Sequence, residues 1–174
     1  RSSTEVGEAF LSAAKNLKAL VRAGVGVDNV DMDGCSKRGI IAMNVPTANT
    51  IAAVELTMAH MLAAARSVPY AHNDLKIDRI WKRDKWYGVE LFNKTLGVIG
   101  FGNIGSRVAI RAAAFGMKIV AYDPYIDPSK VTDMGGVYTR NFDDILACDF
   151  ITIHTPKTKE TTNMIGEAEI AKMK

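Results

Sequence analysis

An α/β fold built on a doubly wound parallel sheet is what this 174-residue chain predicts, and three observations predict it. Short apolar runs that read as strands alternate with stretches of helical spacing. One of those runs, Leu96-Gly97-Val98-Ile99-Gly100-Phe101-Gly102-Asn103-Ile104-Gly105, ends in glycines spaced as GxGxxG. A second run, residues 118–122, closes on Asp123, 18 positions beyond Gly105 (123 − 105), near the spacing of about 20 at which an acid meets a ribose.

The glycines have separate tasks. Gly100 makes the turn, Gly102 leaves room for backbone N–H groups to approach a pyrophosphate, and Gly105 lets helix and strand pack closely. The helix that follows offers the phosphates its positive end. Along it Ile104, Val108, Ala112 and Phe115 recur at helical spacing, Arg107 and Arg111 fall on another face, and Gly116 is placed to end it. A carboxylate at Asp123 would repel a 2′-phosphate, so the pattern points to NAD rather than NADP. Pro124 keeps the residue before it extended; the plainer alternative is that Asp123 and Pro124 merely start a turn.

Composition narrows the classes. A net charge of +3 and the lack of any basic run argue against nucleic acid as a partner. Cys35 and Cys148 are far apart and without metal-ligand spacing, which suits a reducing compartment and no metal site. The longest apolar stretch, residues 51–65, is interrupted by Glu55, Thr57 and His60 and is too short to span a membrane. With no signal-peptide pattern, the expectation is a soluble cytoplasmic protein. The chain opens at Arg1 without methionine and stops at Lys174 in what reads as mid-helix, so a piece of a longer protein is expected.

In chain order, residues 5–15 place Phe10, Leu11 and Ala14 on one side of a surface helix, and residues 18–22 form a strand running into Gly24-Val25-Gly26. Two glycines that close to a strand end either let N–H groups converge on an anion such as a carboxylate or simply turn the chain into the next helix. Asp28 or Asn29 is placed to cap that helix and Gly39 to end it, before a strand at 40–44. After Pro46, a helix from Asn49 or Thr50 to about Arg66 is apolar almost all round, which predicts burial on more than one side. It would pass between domains or lie at a subunit contact, with His60 a satisfied core histidine.

Residues 68–93 change composition, with Trp81, Trp86 and Tyr87 among Lys76, Arg79, Lys82, Arg83 and Lys85. Such a mixture suits stacking on single-stranded nucleic acid or an arm buried against a partner subunit, and the second is the better reading because tryptophan and arginine are enriched at interfaces. Beyond Asp123 come a turn segment, a strand near 137–139, a helix over 142–147 and a strand over 150–153 that ends in His154-Thr155-Pro156. Right-handed crossovers place Gly102, Asp123 and Thr155 together at the carboxyl edge of the sheet.

Taken together, Arg22-Ala23-Gly24-Val25-Gly26-Val27-Asp28-Asn29-Val30-Asp31, Asn44-Val45-Pro46-Thr47-Ala48-Asn49-Thr50 with Glu55, the glycine motif with Asp123, and His154-Thr155-Pro156-Lys157-Thr158 with Thr161 resemble the D-2-hydroxyacid dehydrogenases. The resemblance implies a Rossmann-like NAD-binding domain, here incomplete, inserted in a smaller flavodoxin-like α/β substrate domain, with the active site in the cleft between them. On this chain it implies residues 1–45 as part of the substrate domain, 46–93 as linking helix and dimerisation arm, and 94–174 as the NAD-binding domain.

Arg1-Ser2-Ser3-Thr4 narrows the likeness to members acting on a phosphorylated hydroxy acid. The implied reaction is oxidation of 3-phosphoglycerate to 3-phosphohydroxypyruvate by hydride transfer to NAD, which opens serine synthesis. Position by position, the resemblance implies that Val25 and Gly26 offer N–H groups to the substrate carboxylate, Val25 lying near the nicotinamide, and that Arg1 and Arg22 face the substrate's anionic groups. Asn103 and Ile104 would touch the pyrophosphate within the cofactor-binding turn shaped by Gly100, Gly102 and Gly105, Asp123 would meet the ribose, and Thr155 with Pro156 the cofactor near its adenosine, His154 closing the strand beside it. The family's catalytic arginine, glutamate and histidine are expected beyond the point matching Lys174, so no catalytic residue is assigned here, and the chain alone is expected to bind NAD weakly and not to turn over. A homodimer or higher homo-oligomer is expected. A reading of another class is a naturally short protein that senses NAD or bridges partners.

Overall fold

A computed structural model describes residues 3–82 and 84–174. The chain divides into two compact units, Arg1–Thr50 and Ile51–Lys174.

In the first unit, helix α1 (Glu8–Ala13) is followed by strand β1 (Ala19–Arg22), helix α2 (Met32–Lys37) and strand β2 (Ile41–Asn44). The two strands pair in parallel, Ala19 opposite Ile41 and Arg22 opposite Asn44. Helix α1 is shorter than its apolar spacing predicts because Val6 is taken by a bridge to Val30, its N–H donating to the Asn29 carbonyl over 2.8 Å. Helix α2 is capped by Asp31 rather than by Asp28 or Asn29. The Asp31 carboxylate accepts the Gly34 N–H at 2.8 Å, the reach from an N-cap to the third helical residue, and Gly39 ends the element at φ +64°. Val6, Leu11, Val30, Cys35 and Ile40 form the core of this unit.

The second unit takes in helix α3 (Thr50–Ala65), which begins one residue before it, then α4 (Val68–Lys76), strand β3 (Thr95–Ile99), helix α5 (Gly105–Ala114), strand β4 (Lys118–Tyr122), the single turn α6 (Ser129–Thr132), strand β5 (Val137–Thr139), helix α7 (Phe142–Leu146), strand β6 (Phe150–Ile153) and the short α8 (Glu167–Ile170). The last residues, 171–174, follow α8 rather than lying inside a longer helix.

The sheet runs β5-β4-β3-β6, all parallel. Alternation along β3 explains how both faces are covered. Leu96 and Val98 point into a cluster with Val54, Met58, Val108 and Ala112, that is, toward α3 and α5. Gly97 points the other way, where a Cβ would meet Ile145 Cγ2 at 3.0 Å and Cys148 Sγ at 3.3 Å, so α7 can lie close. This is the doubly wound arrangement that the alternation of elements predicts.

Helix α3 is apolar almost all round, yet Thr50, Val54, Met58 and Ala65 are its buried residues while Ile51, Leu56 and His60 are exposed. Burial follows one stripe at helical spacing, and His60 is not a core histidine. The segment after it is more ordered than a simple arm. Ser67 takes a left-handed φ of +50°, α4 leaves at 68° to α3, and Pro69 is tolerated in the first turn because no N–H is needed there. Trp86 folds back on α4, stacked 5.0 Å from Tyr70 and donating its indole N–H to Asp74 at 2.8 Å. Lys85 reaches the same carboxylate at 2.7 Å, and these two partners, Lys85 first, hold Asp74 below the usual carboxylate range. Trp81 and Tyr87 remain 73% and 81% exposed; Arg83 lies outside the described residues.

Leu96 is fully buried at the centre of the sheet. Leu96→Ala is expected to lower the unfolding free energy by about 2–5 kcal/mol, read from urea denaturation followed by circular dichroism.

Candidate functional site

Because β4 and β6 both pair in parallel with β3, their carboxyl ends lie together. The loops leaving them enclose a cavity of about 360 Å³. Gly100 and Gly102 come to it from β3, Asp123, Pro124 and Tyr125 from β4, and His154, Thr155 and Pro156 from β6.

Gly100 sits at φ +84°, where side chains are strained, and a Cβ there would lie 2.8 Å from the His154 carbonyl. Its N–H continues the sheet by donating to the Tyr122 carbonyl at 2.9 Å. Gly105 is the first residue of α5, and a Cβ on it would collide with the Gly100 carbonyl oxygen. Gly102 differs from both: a Cβ there would meet nothing within 4 Å. The backbone above Gly102 is therefore open, and Ile104, at the N-cap of α5, supplies no side-chain cap. An open turn followed by an uncapped helix start is what an anionic ligand needs in order to reach main-chain donors. The residues present fit a dinucleotide.

Asn103, Ile104 and Gly105 support the turn without lining the cavity. The Asn103 carbonyl accepts from Arg107 Nη1 at 2.8 Å, and Ile104 packs against the core. Asp123 does line it, and both of its oxygens are engaged: Oδ2 accepts the Phe101 N–H at 2.8 Å and Oδ1 the Tyr125 N–H at 2.9 Å. The residue thus starts a turn and faces the cavity at once. Each oxygen retains acceptor capacity for a further hydroxyl.

His154 donates its backbone N–H to the Ile99 carbonyl at 2.7 Å, and its ring Nε2 lies 2.8 Å from Thr152 Oγ1. Burial pushes the imidazole below its ordinary value of 6.5.

The remaining site residues predicted from the sequence belong to the first unit. Arg22 Nε is buried with no hydrogen-bond partner among the described residues, and its guanidinium folds over the loop so closely that a Cβ on Gly24 would strike it. Val25 is partly exposed and its carbonyl accepts from Asn44 Nδ2 at 2.8 Å. Gly26 faces Asp28, whose Oδ2 would lie 2.9 Å from an added Cβ. Arg1 lies outside the described residues.

Sequence reasoning missed part of the cavity wall, Tyr125, Glu160 and Met164, and gave no role to Thr158 and Thr161 of the loop after β6, which line it too and had entered through the resemblance alone. Thr158 and Thr161 carried a local signal, since threonines three apart can each bond the other's main chain. Here Thr158 N–H donates to Thr161 Oγ1 at 2.8 Å and Thr161 N–H to Thr158 Oγ1 at 3.2 Å. The Tyr125 hydroxyl donates to Glu160 Oε2 at 2.8 Å, a pairing across 35 positions that no local pattern announces.

Comparison with known proteins agrees with this geometry. Residues 58–174 match the family model described as D-isomer specific 2-hydroxyacid dehydrogenase, NAD binding domain. Over its whole length the chain is 46% identical to D-3-phosphoglycerate dehydrogenase of Mycobacterium leprae, of which it covers 33%. Among solved structures it is similar to the D-lactate dehydrogenase from Aquifex aeolicus complexed with NAD and lactic acid, with a TM-score of 0.86 and 36% identity over 98% of this chain and 51% of that one. It is also similar to the NAD⁺-bound 3-phosphoglycerate dehydrogenase of Entamoeba histolytica, at TM-score 0.80 and 32% identity over 99% of this chain and 50% of that one. The chain thus spans about a third of the length of the curated relative it matches.

A histidine with a folded pKa below 6.5 binds fewer protons folded than unfolded, so its contribution is present above that value and lost as pH falls through the folded pKa. Between pH ~7.5 and ~5 the wild type is expected to lose more stability than His154→Asn, measured as urea midpoints. Glu8, Asp74, Asp127 and Asp149, all held low by their hydrogen-bond partners, lose their contributions in more acid solution.

Proposed function

The chain belongs to the D-isomer specific 2-hydroxyacid dehydrogenase family, and on that premise we propose that the protein carrying it oxidises 3-phosphoglycerate to 3-phosphohydroxypyruvate with NAD, as a D-3-phosphoglycerate dehydrogenase of serine synthesis. The observation that carries the substrate assignment is the likeness, over the whole of this chain and about a third of the relative's length, to relatives of that name. The observation that carries the cofactor is the cavity at the carboxyl ends of β3, β4 and β6, floored by open main chain at Gly102 and edged by Asp123.

In this reading Gly100, Gly102, Asn103, Ile104 and Gly105 hold the pyrophosphate, through an open turn and the positive end of α5. Asp123 accepts from the adenosine ribose, and His154, Thr155 and Pro156 wall the adenosine side. Bound NAD supplies a hydride acceptor for the carbon bearing the substrate's hydroxyl. The loop Gly24-Val25-Gly26 offers N–H groups to the substrate carboxylate, and Arg22, whose Nε lacks a partner among the described residues, supplies cationic donors matched to a carboxylate or phosphate. Arg1 has the same assignment from the sequence alone. No residue of this chain is assigned the transfer of the hydroxyl proton.

Trp81 and Tyr87, exposed beside the self-packed Trp86, suit burial in a homodimer. Cys35 and Cys148 are free and buried, in keeping with a cytoplasmic protein.

The two glycines separate fold from binding. Gly102→Ala is expected to leave stability within about 1 kcal/mol while weakening NAD at least about tenfold, by isothermal titration calorimetry. Gly105→Ala is expected to cost about 1–3 kcal/mol of stability, because the new methyl would strike the Gly100 carbonyl oxygen, a backbone atom that cannot swing aside. The substrate assignment is tested by comparing kcat/KM of the complete protein for 3-phosphoglycerate, D-lactate and D-glycerate with NAD. The phosphorylated acid is expected to be strongly preferred, and preference for D-lactate would overturn the assignment.

A further inference from the structure

In the sheet order β5-β4-β3-β6, β3 lies between β4 and β6. A hydrogen bond from the loop after β4 to the loop after β6 therefore crosses the end of β3, where the cavity lies. The Tyr125 hydroxyl makes such a bond to Glu160 Oε2 at 2.8 Å, while the Tyr125 N–H donates to Asp123 Oδ1 at 2.9 Å. One residue thus ties together two carboxylates from opposite walls.

The charge lining the cavity is one-sided. Among the described residues that line it, Asp123 and Glu160 are the carboxylates, and no lysine or arginine joins them. Lys157 and Lys159 precede Glu160 in sequence but do not line the cavity. Glu160 is also held in place, because its loop is pinned by the paired Thr158 and Thr161 and by a bond from Thr161 Oγ1 to the Pro156 carbonyl at 2.6 Å. The phenol of Tyr125 is raised above its ordinary value, first by that bond to Glu160.

We propose that Glu160, positioned across the cleft by Tyr125, is a second specificity-determining residue of the cofactor site, which acts with Asp123 to turn away dinucleotides carrying a 2′-phosphate. The proposal rests on the reading that this cavity takes the adenosine end of NAD. A phosphate monoester carries about −1.5 to −2 charges near neutral pH, so a second fixed carboxylate adds repulsion that a bare ribose does not meet.

The test is isothermal titration calorimetry of the complete protein with NAD and with NADP, for the wild type, Glu160→Gln and Tyr125→Phe. In Glu160→Gln the preference for NAD over NADP is expected to fall about three- to tenfold, and in Tyr125→Phe to fall by a smaller factor. The wild-type preference is expected to shrink as salt is raised, since the repulsion is partly screened. A preference unchanged in both variants, or equal weakening of both cofactors, would overturn the role of Glu160 while leaving the NAD site intact. Failure of the wild type to bind NAD would remove the cofactor reading and this inference with it. If Glu160→Gln does not fold, Tyr125→Phe decides the matter, by its fall in preference for NAD and by a salt dependence weaker than that of the wild type.

Discussion

No side chain fits between Gly105 and the carbonyl oxygen of Gly100, and the ligand edge of the second unit depends on that contact. It sets how near the start of α5 comes to the end of β3. With Gly105 in place, Val108, Ala109 and Ala112 are all fully buried, and Val98 Cγ1 would stand 3.2 Å from a Cβ at the helix start. A bulkier first residue would push the helix away from the sheet, and the donors at its N-terminus would leave the sheet edge. The distinction between Gly105 and Gly102 follows: one glycine is required by what the protein puts against it, the other by what the protein leaves open.

A second tie fixes the turn from the opposite strand. Phe101 is 3% exposed, so its N–H needs an acceptor inside the protein, and it finds one in Asp123 Oδ2, 22 positions away. The carboxylate that faces the cavity is therefore also the clamp that holds the glycine turn of β3 to the end of β4. Charge at the site and geometry at the site are set by the same two oxygens.

The sequence was most readable where one residue type answers one local demand. Glycines at 100, 102 and 105, an acid at the tip of the next strand, and short apolar runs alternating with stretches of helical spacing each answer a local demand, and the sheet and its ligand edge followed from them. It was less readable where tertiary context decides. The apolar girth of α3 predicts burial on several sides, but Val54, Met58 and Ala65 carry it and His60 faces outward, since helical spacing sets one stripe whatever the opposite face contains. Helix α4 was hidden by the mixed composition of its segment, because the pairing of Trp86 with Asp74 and Tyr70 spans more than a helical turn. Tyr125 and Glu160 were invisible for a related reason: each is an ordinary surface residue until the parallel order of β4, β3 and β6 brings their loops over one cavity.

The two acids differ in what else depends on them, and that difference bears on how cofactor preference could shift within this fold. Removing the charge of Asp123 also removes the acceptor of the buried Phe101 N–H and of the Tyr125 N–H, and an unsatisfied buried donor carries its own desolvation cost. Any change there is entangled with the shape of the glycine turn. Glu160 has the phenol of Tyr125 as its partner, and both side chains stand at the surface, where the lost bond is readily replaced by water. A neutral residue at 160 thus alters the field over the adenosine end of the cavity while the turn at Gly100 and the start of α5 keep their positions. The fold therefore contains one carboxylate bound into its framework and one that can vary with little structural consequence, and the second is the easier point at which tolerance of a 2′-phosphate would change.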